Sequence, residues 1–254
     1  MNALTRPPGR PKAGCTPLGG AKARSDKLGA IWLFDLDNTL HDASRAVFGR
    51  LNGSMTDYIE QHLGLPRDQA NALRVHYWRR YGATLLGLER HHGIRASHFL
   101  AQTHALPGLE AHLRMPLVDR LALKRLPGRK VLLTNAPLDY AKRVLTALDM
   151  ASVFESIVSI EGMRTFGQLR PKPDLRMMKV VLARLKLPPH RCVLVEDTLD
   201  NLRPVRQLGM RTVWMQRYLK DNPHGPHAGG SPHRRPAWVC AKIRHLRSLH
   251  AWGA

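Results

Sequence analysis

The most regular feature of the chain is a series of short apolar runs that each end in polar residues. The first run covers residues 31–34 and leads directly into the carboxylates of Asp35 and Asp37. An apolar run of this length without a helical period predicts a buried central strand. Further strands are predicted at residues 130–135, 157–160, 192–195 and 212–214. Helical patterns separate these strands, so the chain is predicted to form an α/β fold with a doubly wound parallel sheet and right-handed crossovers.

A long helical insert is predicted between the first and second strands. Apolar residues recur there at spacings of three and four, as in Val47, Leu51, Met55 and Ile59, and glycine and proline pairs punctuate the segment. This spacing is typical of amphipathic helices. We therefore expect residues 44–126 to contain several helices.

Two segments lack the patterns of a packed fold. Residues 1–27 are rich in Pro, Gly, Ala, Lys and Arg and carry no apolar period, which predicts a disordered basic arm. Residues 219–236 are dense in Pro, Gly and His, which predicts a flexible loop, and the residues after it predict an edge strand and a closing helix. The irregular spacing of the histidines in this tail favours solvated side chains over a metal site.

The formal net charge of +21 is high, and about half of the excess lies at the ends of the chain, because residues 1–27 and 219–254 each carry six basic residues and one acidic residue. Three interpretations stay open: solvated basic tails, binding of a polyanion such as nucleic acid, and steering of anionic substrates. The chain has no apolar run of about 18 residues and no continuous apolar segment at its start. We therefore expect no membrane association and a cytoplasmic location.

The string FDLDNTL, residues 34–40, resembles the first motif of the haloacid dehalogenase (HAD) superfamily of phosphatases. The resemblance implies that Asp35 is the nucleophile and Asp37 the general acid and base. An acid at Asp37 favours a phosphatase, because the superfamily's dehalogenases lack an acid at this position and its transport ATPases carry threonine. The resemblance also implies that residues 44–126 form a second, smaller domain, a helical cap over the active site, inserted into a core domain made of residues 28–43 and 127–254.

Three later strand ends resemble the other motifs of this superfamily. Thr134 and Asn135 resemble the second motif and are expected to bind phosphate, although the same pair is also typical of an ordinary turn. Lys172 in the string RPKPD resembles the third motif, which neutralises the nucleophile and the phosphate; an exposed loop lysine is the alternative. Glu196 and Asp197 resemble the fourth motif.

The resemblance also implies a Mg²⁺ cofactor, which accords with acidic residues placed directly after a buried strand. The expected ligands are the Asp35 carboxylate, the Asp37 backbone carbonyl and Asp197. Glu196 and Asn201 are expected to support the site, and whether Glu196 reaches the metal directly stays open.

The substrate is expected to be a small phosphomonoester. The strings FDLDNTLHDAS and YWRRYGATLLGL most resemble the pyrimidine 5′-nucleotidase branch of the superfamily. On this interpretation His41, Tyr77 and Tyr81 are candidate contacts to the nucleotide, whereas both tyrosines are equally expected if they only pack the insert. A phosphatase for a sugar phosphate, phosphoglycolate or a cofactor phosphate is the first alternative, and a polyanion-binding protein that uses its basic tails is the second. Neither the physiological substrate nor the oligomeric state follows from the sequence.

Overall fold

The computed structural model describes residues 29–219 and 235–253. Its main element is a six-stranded sheet with the order β3-β2-β1-β6-β7-β8, in which every neighbouring pair is parallel. The strands are β1 (Ile31–Phe34), β2 (Arg129–Leu133), β3 (Ser156–Val158), β6 (Cys192–Glu196), β7 (Arg211–Met215) and β8 (Ala241–Ile243). A separate hairpin is formed by β4 (Arg164–Thr165) and β5 (Gln168–Leu169). The predicted doubly wound parallel sheet is therefore confirmed.

Strand β1 lies at the centre of the sheet. All four of its residues are buried, and it pairs with β2 on one side and β6 on the other. Phe34 lies opposite Leu132 of β2 and Val195 of β6, so the carboxyl ends of the three strands lie at one edge. An open parallel sheet of this type places its ligand crevice at that edge.

Side chains of β1 alternate between two apolar cores, one on each face of the sheet. Trp32 and Phe34 lie in one core, together with residues of α7 (Leu138–Ala147). Leu33 lies in the other, together with residues of α8 (Leu175–Arg184) and α9 (Leu199–Val205). The two layers of helices bury both faces, which explains why β1 is apolar throughout instead of alternating with polar residues.

The segment between β1 and β2 is helical, as the spacing of its apolar residues predicts. The helices are α1 (Ala43–Ala46), α2 (Phe48–Leu63), α3 (Arg67–Tyr81), α4 (Thr84–His92), α5 (Ala96–Thr103) and α6 (Leu117–Arg125). Helices α2 to α5 share a third apolar cluster, which also contains Ile160 and Leu169 from the hairpin region. The insert thus packs on the hairpin, while its status as a separate domain stays a prediction.

Some boundaries differ from the expectation. The strand predicted at residues 157–160 ends at Val158, and a 3₁₀ turn follows at Ile160–Met163. The expected closing helix is a 3₁₀ turn at Leu246–Leu249 and the short α10 (His250–Gly253). The predicted arm over residues 1–27 and most of the predicted loop over residues 219–236 lie outside the described residues.

In the part of the chain that the structure describes, each helix is too short or too polar to cross a membrane. The cytoplasmic location stays a prediction.

Candidate active site

Lys172 lies at the centre of the polar cluster at the carboxyl edge of the sheet. Its ammonium Nζ donates to Asp35 Oδ1 at 2.6 Å and to Glu196 Oε2 at 2.7 Å. Only 4% of Lys172 is exposed, so it is not an exposed loop lysine. The two carboxylates come from the ends of neighbouring strands, since Asp35 follows β1 and Glu196 ends β6.

Asn135 holds the backbone of Lys172 in place. Its side-chain Nδ2 donates to the Lys172 carbonyl oxygen at 3.1 Å, and its Oδ1 accepts from the Lys172 backbone N–H at 2.9 Å. Both polar atoms of the side chain are therefore engaged by the loop that carries Lys172. These two hydrogen bonds give the Asn135 side chain a role in fixing the loop, while the expected contact of Asn135 with phosphate stays a prediction.

Thr134 follows β2 and is buried at the same edge of the sheet. Its backbone N–H donates to the Val158 carbonyl at 2.9 Å, and its Oγ1 accepts from the Ala136 backbone N–H at 3.0 Å. The Thr134 hydroxyl is thus fixed in a tight turn with its own proton available for donation. This arrangement suits the expected contact with a phosphoryl oxygen.

The acidic pair after β6 is held by its neighbours. Glu196 Oε1 accepts from the Thr198 backbone N–H at 3.2 Å, while the Trp214 indole donates to the Asp197 carbonyl at 2.8 Å. The Thr198 hydroxyl donates to Asp197 Oδ1 at 3.3 Å. Both acids are buried, so the local structure fixes two carboxylates that water reaches poorly.

The site holds more negative charge than Lys172 neutralises. Burial, and then repulsion from Glu196, raise the pKa of Asp35 to about 7, although Lys172 opposes this shift. Burial, followed by Glu196 and Asp35, raises the pKa of Asp197 well above its usual range. Burial by itself would lower the pKa of Lys172, but Asp35 and Glu196 raise it above the usual value, so the lysine stays charged. A further cation is therefore the natural complement of this site.

Three of these acids are close enough to share a metal ion. Single carboxylate oxygens of Asp35, Glu196 and Asp197 all lie within 4.8 Å of one another. Oxygens bound to one Mg²⁺ at about 2.1 Å lie about 3 to 4 Å apart, so small side-chain adjustments bring these atoms into range. The donor set consists of hard carboxylate oxygens, which fits Mg²⁺. Both oxygens of Glu196 accept hydrogen bonds, one from Lys172 and one from the Thr198 backbone N–H, whereas Lys172 engages only Oδ1 of Asp35. Asp35 and Asp197 are therefore the better placed pair.

Asp37 lies beside this cluster and has two unanticipated neighbours. The Tyr140 hydroxyl donates to Asp37 Oδ1 at 2.7 Å, and His41 Nε2 lies 3.0 Å from the same oxygen. Burial, and then the Asp37 carboxylate, raise the pKa of Tyr140 well above its usual range, so the hydroxyl keeps its proton. Sequence reasoning missed Tyr140, because its spacing in α7 is that of an ordinary core residue.

A contact between His41 and the nucleotide would require an accessible side chain, and the His41 side chain is not accessible. Its side chain is fully buried, and its Nε2 is directed at Asp37. The short turn through Asn38, which has a positive φ of 58°, returns the chain so that residues 37 and 41 form an isolated bridge. This turn places His41 beneath Asp37 and corrects its expected role.

The two cap tyrosines lie within the helical insert. Tyr77 is buried in the insert's apolar cluster, and its hydroxyl lies 2.8 Å from His92 Nε2. Tyr81 is half-buried, and its hydroxyl lies 2.6 Å from His91 Nε2. These contacts favour the packing interpretation for Tyr77, whereas Tyr81 keeps an accessible part of its ring. Asn201 lies in the first turn of α9 and is partly exposed.

Comparison with known proteins gives a consistent result. Residues 31–209 match the family model of haloacid dehalogenase-like hydrolases. A curated relative, Phosphate metabolism protein 8 of Saccharomyces cerevisiae, is 25% identical over 201 residues, which cover 74% of this chain and 62% of the relative. The chain thus spans about three fifths of that relative's length.

Solved structures with the same fold cover most of this chain. The HAD phosphatase of Thermococcus onnurineus has a TM-score of 0.57 at 18% identity, covering 87% of this chain and 96% of that protein. CbbY of Rhodobacter sphaeroides, solved with phosphate, has a TM-score of 0.56 at 18% identity with the same coverage. YfnB of Bacillus subtilis, solved with magnesium, has a TM-score of 0.54 at 17% identity, covering 88% and 98%. At these identities the likeness concerns the fold.

Proposed function

Because the chain belongs to the haloacid dehalogenase-like hydrolase family, we propose that it is a phosphomonoester hydrolase in which Asp35 is the nucleophile. The observation that carries this proposal is the position of Lys172, whose buried ammonium joins Asp35 and Glu196. An ammonium here lowers the repulsion between an anionic nucleophile and an anionic phosphate ester.

Two displacements at phosphorus complete the reaction. In the first, a carboxylate oxygen of Asp35 forms a bond to phosphorus while the bond to the alcohol oxygen breaks, and Asp37 gives its proton to the departing oxygen. In the second, water attacks the aspartyl-phosphate, Asp37 accepts the proton of that water, and the bond between Asp35 and phosphorus breaks. The products are an alcohol and inorganic phosphate, and both carboxyl groups return to their starting states.

The Thr134 hydroxyl and the Lys172 ammonium supply positive electrostatic potential to the phosphoryl oxygens. HAD hydrolases generally use Mg²⁺, and Asp35 and Asp197 are the side chains that would hold it here, with the Asp37 carbonyl as the third protein ligand that the family resemblance implies. When bound, Mg²⁺ would neutralise charge on the transferring phosphoryl group. Glu196 keeps Lys172 in position.

HAD phosphatases act on small phosphate esters, and for this chain we propose a pyrimidine nucleoside 5′-monophosphate. Support comes from the likeness of residues 34–44 and 77–88 to the pyrimidine 5′-nucleotidase branch. Of the candidate base contacts, Tyr81 is partly exposed, and the Arg80 and Arg90 guanidinium groups lie 5.5 and 5.9 Å from the centroid of its ring. An aromatic side chain offers a flat face for stacking on a base, and neighbouring guanidinium groups offer donors for its carbonyl edge. One solved neighbour is described as a phosphoglycolate phosphatase, and phosphoglycolate is therefore the alternative substrate to test.

The decisive experiment for the reaction type measures release of phosphate from a panel of phosphomonoesters with Mg²⁺ and with EDTA. We expect activity that chelator abolishes and Mg²⁺ restores, and loss of at least a hundredfold in kcat for Asp35→Asn, since removal of a nucleophile costs several powers of ten. Asp57→Asn is the matched control, because Asp57 is an exposed carboxylate of α2. Full activity in chelator, or retained activity in Asp35→Asn, would contradict the mechanism.

The substrate is tested on the same panel. We expect kcat/KM for pyrimidine nucleoside monophosphates to exceed that for ribose 5-phosphate by about ten- to a hundredfold, because stacking on an aromatic ring contributes about 1–3 kcal/mol. Tyr81→Ala should reduce this ratio while changing hydrolysis of p-nitrophenyl phosphate little. If wild type hydrolyses both substrates equally well, the nucleotidase assignment falls and the phosphatase assignment stands.

A further inference from the structure

Tyr140 lies far from Asp37 in sequence but touches it in the folded protein. Its hydroxyl donates to Asp37 Oδ1 at 2.7 Å, and the ring is fully buried on the inward side of α7. His41 Nε2 reaches the same oxygen at 3.0 Å. Two neighbours thus meet on one carboxylate oxygen.

The second carboxylate oxygen of Asp37, Oδ2, is available for proton transfer. Within residues 29–219 and 235–253, Asp37 Oδ2 has no hydrogen-bond partner, and about a fifth of the side chain is exposed. A general acid must place one oxygen within hydrogen-bond reach of the leaving group. Anchoring Oδ1 removes rotation about the last bond of the side chain and directs Oδ2 away from its two neighbours.

The anchor itself is held rigidly. The ring of Tyr140 packs edge-on against the buried ring of His104, with centroids 5.7 Å apart. On the next turn of α7, Arg143 donates to the carbonyls of Ala105 and Leu106 at 2.5 and 3.1 Å. The segment of the insert that follows α5 is therefore fastened to the helix that carries Tyr140.

From this geometry we infer that Tyr140 is a positioning residue, which holds Asp37 Oδ1 so that Oδ2 delivers and accepts the proton of the reaction. The inference rests on the proposed phosphatase function. Tyr140 acts through Asp37 and does not itself contact the substrate. A residue that only filled the core would not link α7 to the proton-transfer step.

The test compares Tyr140→Phe with wild type on phosphomonoesters whose leaving groups range from p-nitrophenol to simple alcohols. Departure of an alcohol needs a proton, whereas departure of p-nitrophenolate does not. We expect kcat/KM to fall about ten- to a hundredfold for alkyl phosphates, because misplacement of a catalytic group by about 1 Å has effects of that order. For p-nitrophenyl phosphate the fall should stay within about threefold.

Tyr58→Phe is the matched control. Tyr58 is also buried, and its hydroxyl lies 2.7 Å from His98 Nδ1 in the insert. Its replacement removes a comparable hydrogen bond away from Asp37, so the dependence on the leaving group should stay as in wild type. Urea unfolding of both variants checks that the two have similar stability.

A double variant separates positioning from general damage. In the Asp37→Asn background, Tyr140→Phe should cause less than a twofold further loss, because residues that act through one step are not additive. An equal loss for all leaving groups, or a full additional loss in the double variant, would overturn the inference while the phosphatase assignment stands. Absence of phosphatase activity from the wild-type protein on the whole series would overturn the proposed function, and this inference with it.

Discussion

Replacing Lys172 with methionine tests the charge balance of the site. Methionine fills a similar volume but removes the ammonium that lies 2.6 and 2.7 Å from the buried carboxylates of Asp35 and Glu196. Breaking a buried ion pair by removing one partner costs about 3–5 kcal/mol, because the other charge stays buried without compensation. We expect a loss of this size in the free energy of unfolding at pH 8, measured without metal.

The loss should depend on pH with a defined sign. In the folded protein the pKa of Asp35 is about 7, above the value of about 4 for an unfolded aspartate. The contribution of Asp35 to the free energy of unfolding therefore falls as the pH rises through that interval. Without Lys172 the pKa of Asp35 rises further. Ionisation of Asp35 therefore keeps lowering the free energy of unfolding of the variant above pH 7, where the contribution of Asp35 to wild-type stability has levelled off. The difference between the two proteins should therefore be about 1 kcal/mol larger at pH 8 than at pH 5.5, since one pKa unit corresponds to about 1.4 kcal/mol.

Urea unfolding in EDTA at these two pH values measures the effect directly. Lys124→Met is the matched control, because Lys124 pairs with Asp149 at the surface, where ion pairs contribute about 0–1 kcal/mol. A loss below about 1 kcal/mol for Lys172→Met at pH 8, or a larger loss at pH 5.5, would refute the reasoning.

Two further predictions concern the helical insert. A methyl group added at Gly87 would lie 2.1 Å from Cγ of Tyr77, whereas one added at Gly53 would meet nothing within 4 Å. We therefore expect Gly87→Ala to lower the free energy of unfolding by about 1–2 kcal/mol. Gly53→Ala should raise it by about 0.5–1 kcal/mol. Urea unfolding of the two variants checks this, and equal shifts would contradict it. His104 is buried, and burial lowers its pKa to about 4, so the unfolded chain binds its proton first and stability falls as the pH drops from about 6.5 to 4. Between pH 6.5 and pH 4 the free energy of unfolding should fall by about 2–3 kcal/mol more for wild type than for His104→Gln. Parallel profiles of unfolding free energy against pH for the two proteins would contradict this prediction.

Much of the fold was predictable because its signals are local. The apolar run before Asp35 and the later runs that end in polar residues define the parallel sheet, and the spacing of apolar residues defines the helices of the insert. The same runs place Asp35, Thr134 and Glu196 at strand ends, which meet at one edge in any parallel sheet. Their chemical roles stay predictions until variants are assayed.

The contacts around these residues could not be predicted, because they join distant parts of the chain. Tyr140 is 103 residues from Asp37, and the Asn135 side chain binds the backbone of a loop 37 residues away. Local periodicity reports only that Tyr140 lies on the buried side of a helix. The role of Asn135 was likewise hidden, since a strand-end asparagine serves equally well in a turn, a ligand contact or a loop anchor.

Helix α7 connects the proton-transfer group to the insert. One turn places Tyr140 on Asp37, and the next places Arg143 on the carbonyls of residues 104–106, with an ion pair to Glu110 at 2.7 Å. A shift of the segment that follows α5 would therefore displace the helix that carries Tyr140, the hydrogen-bond partner of Asp37. If Asp37 is the general acid and substrate binds beneath the insert, as proposed, the two are joined through one helix, and the placement of Asp37 does not depend on the first strand alone.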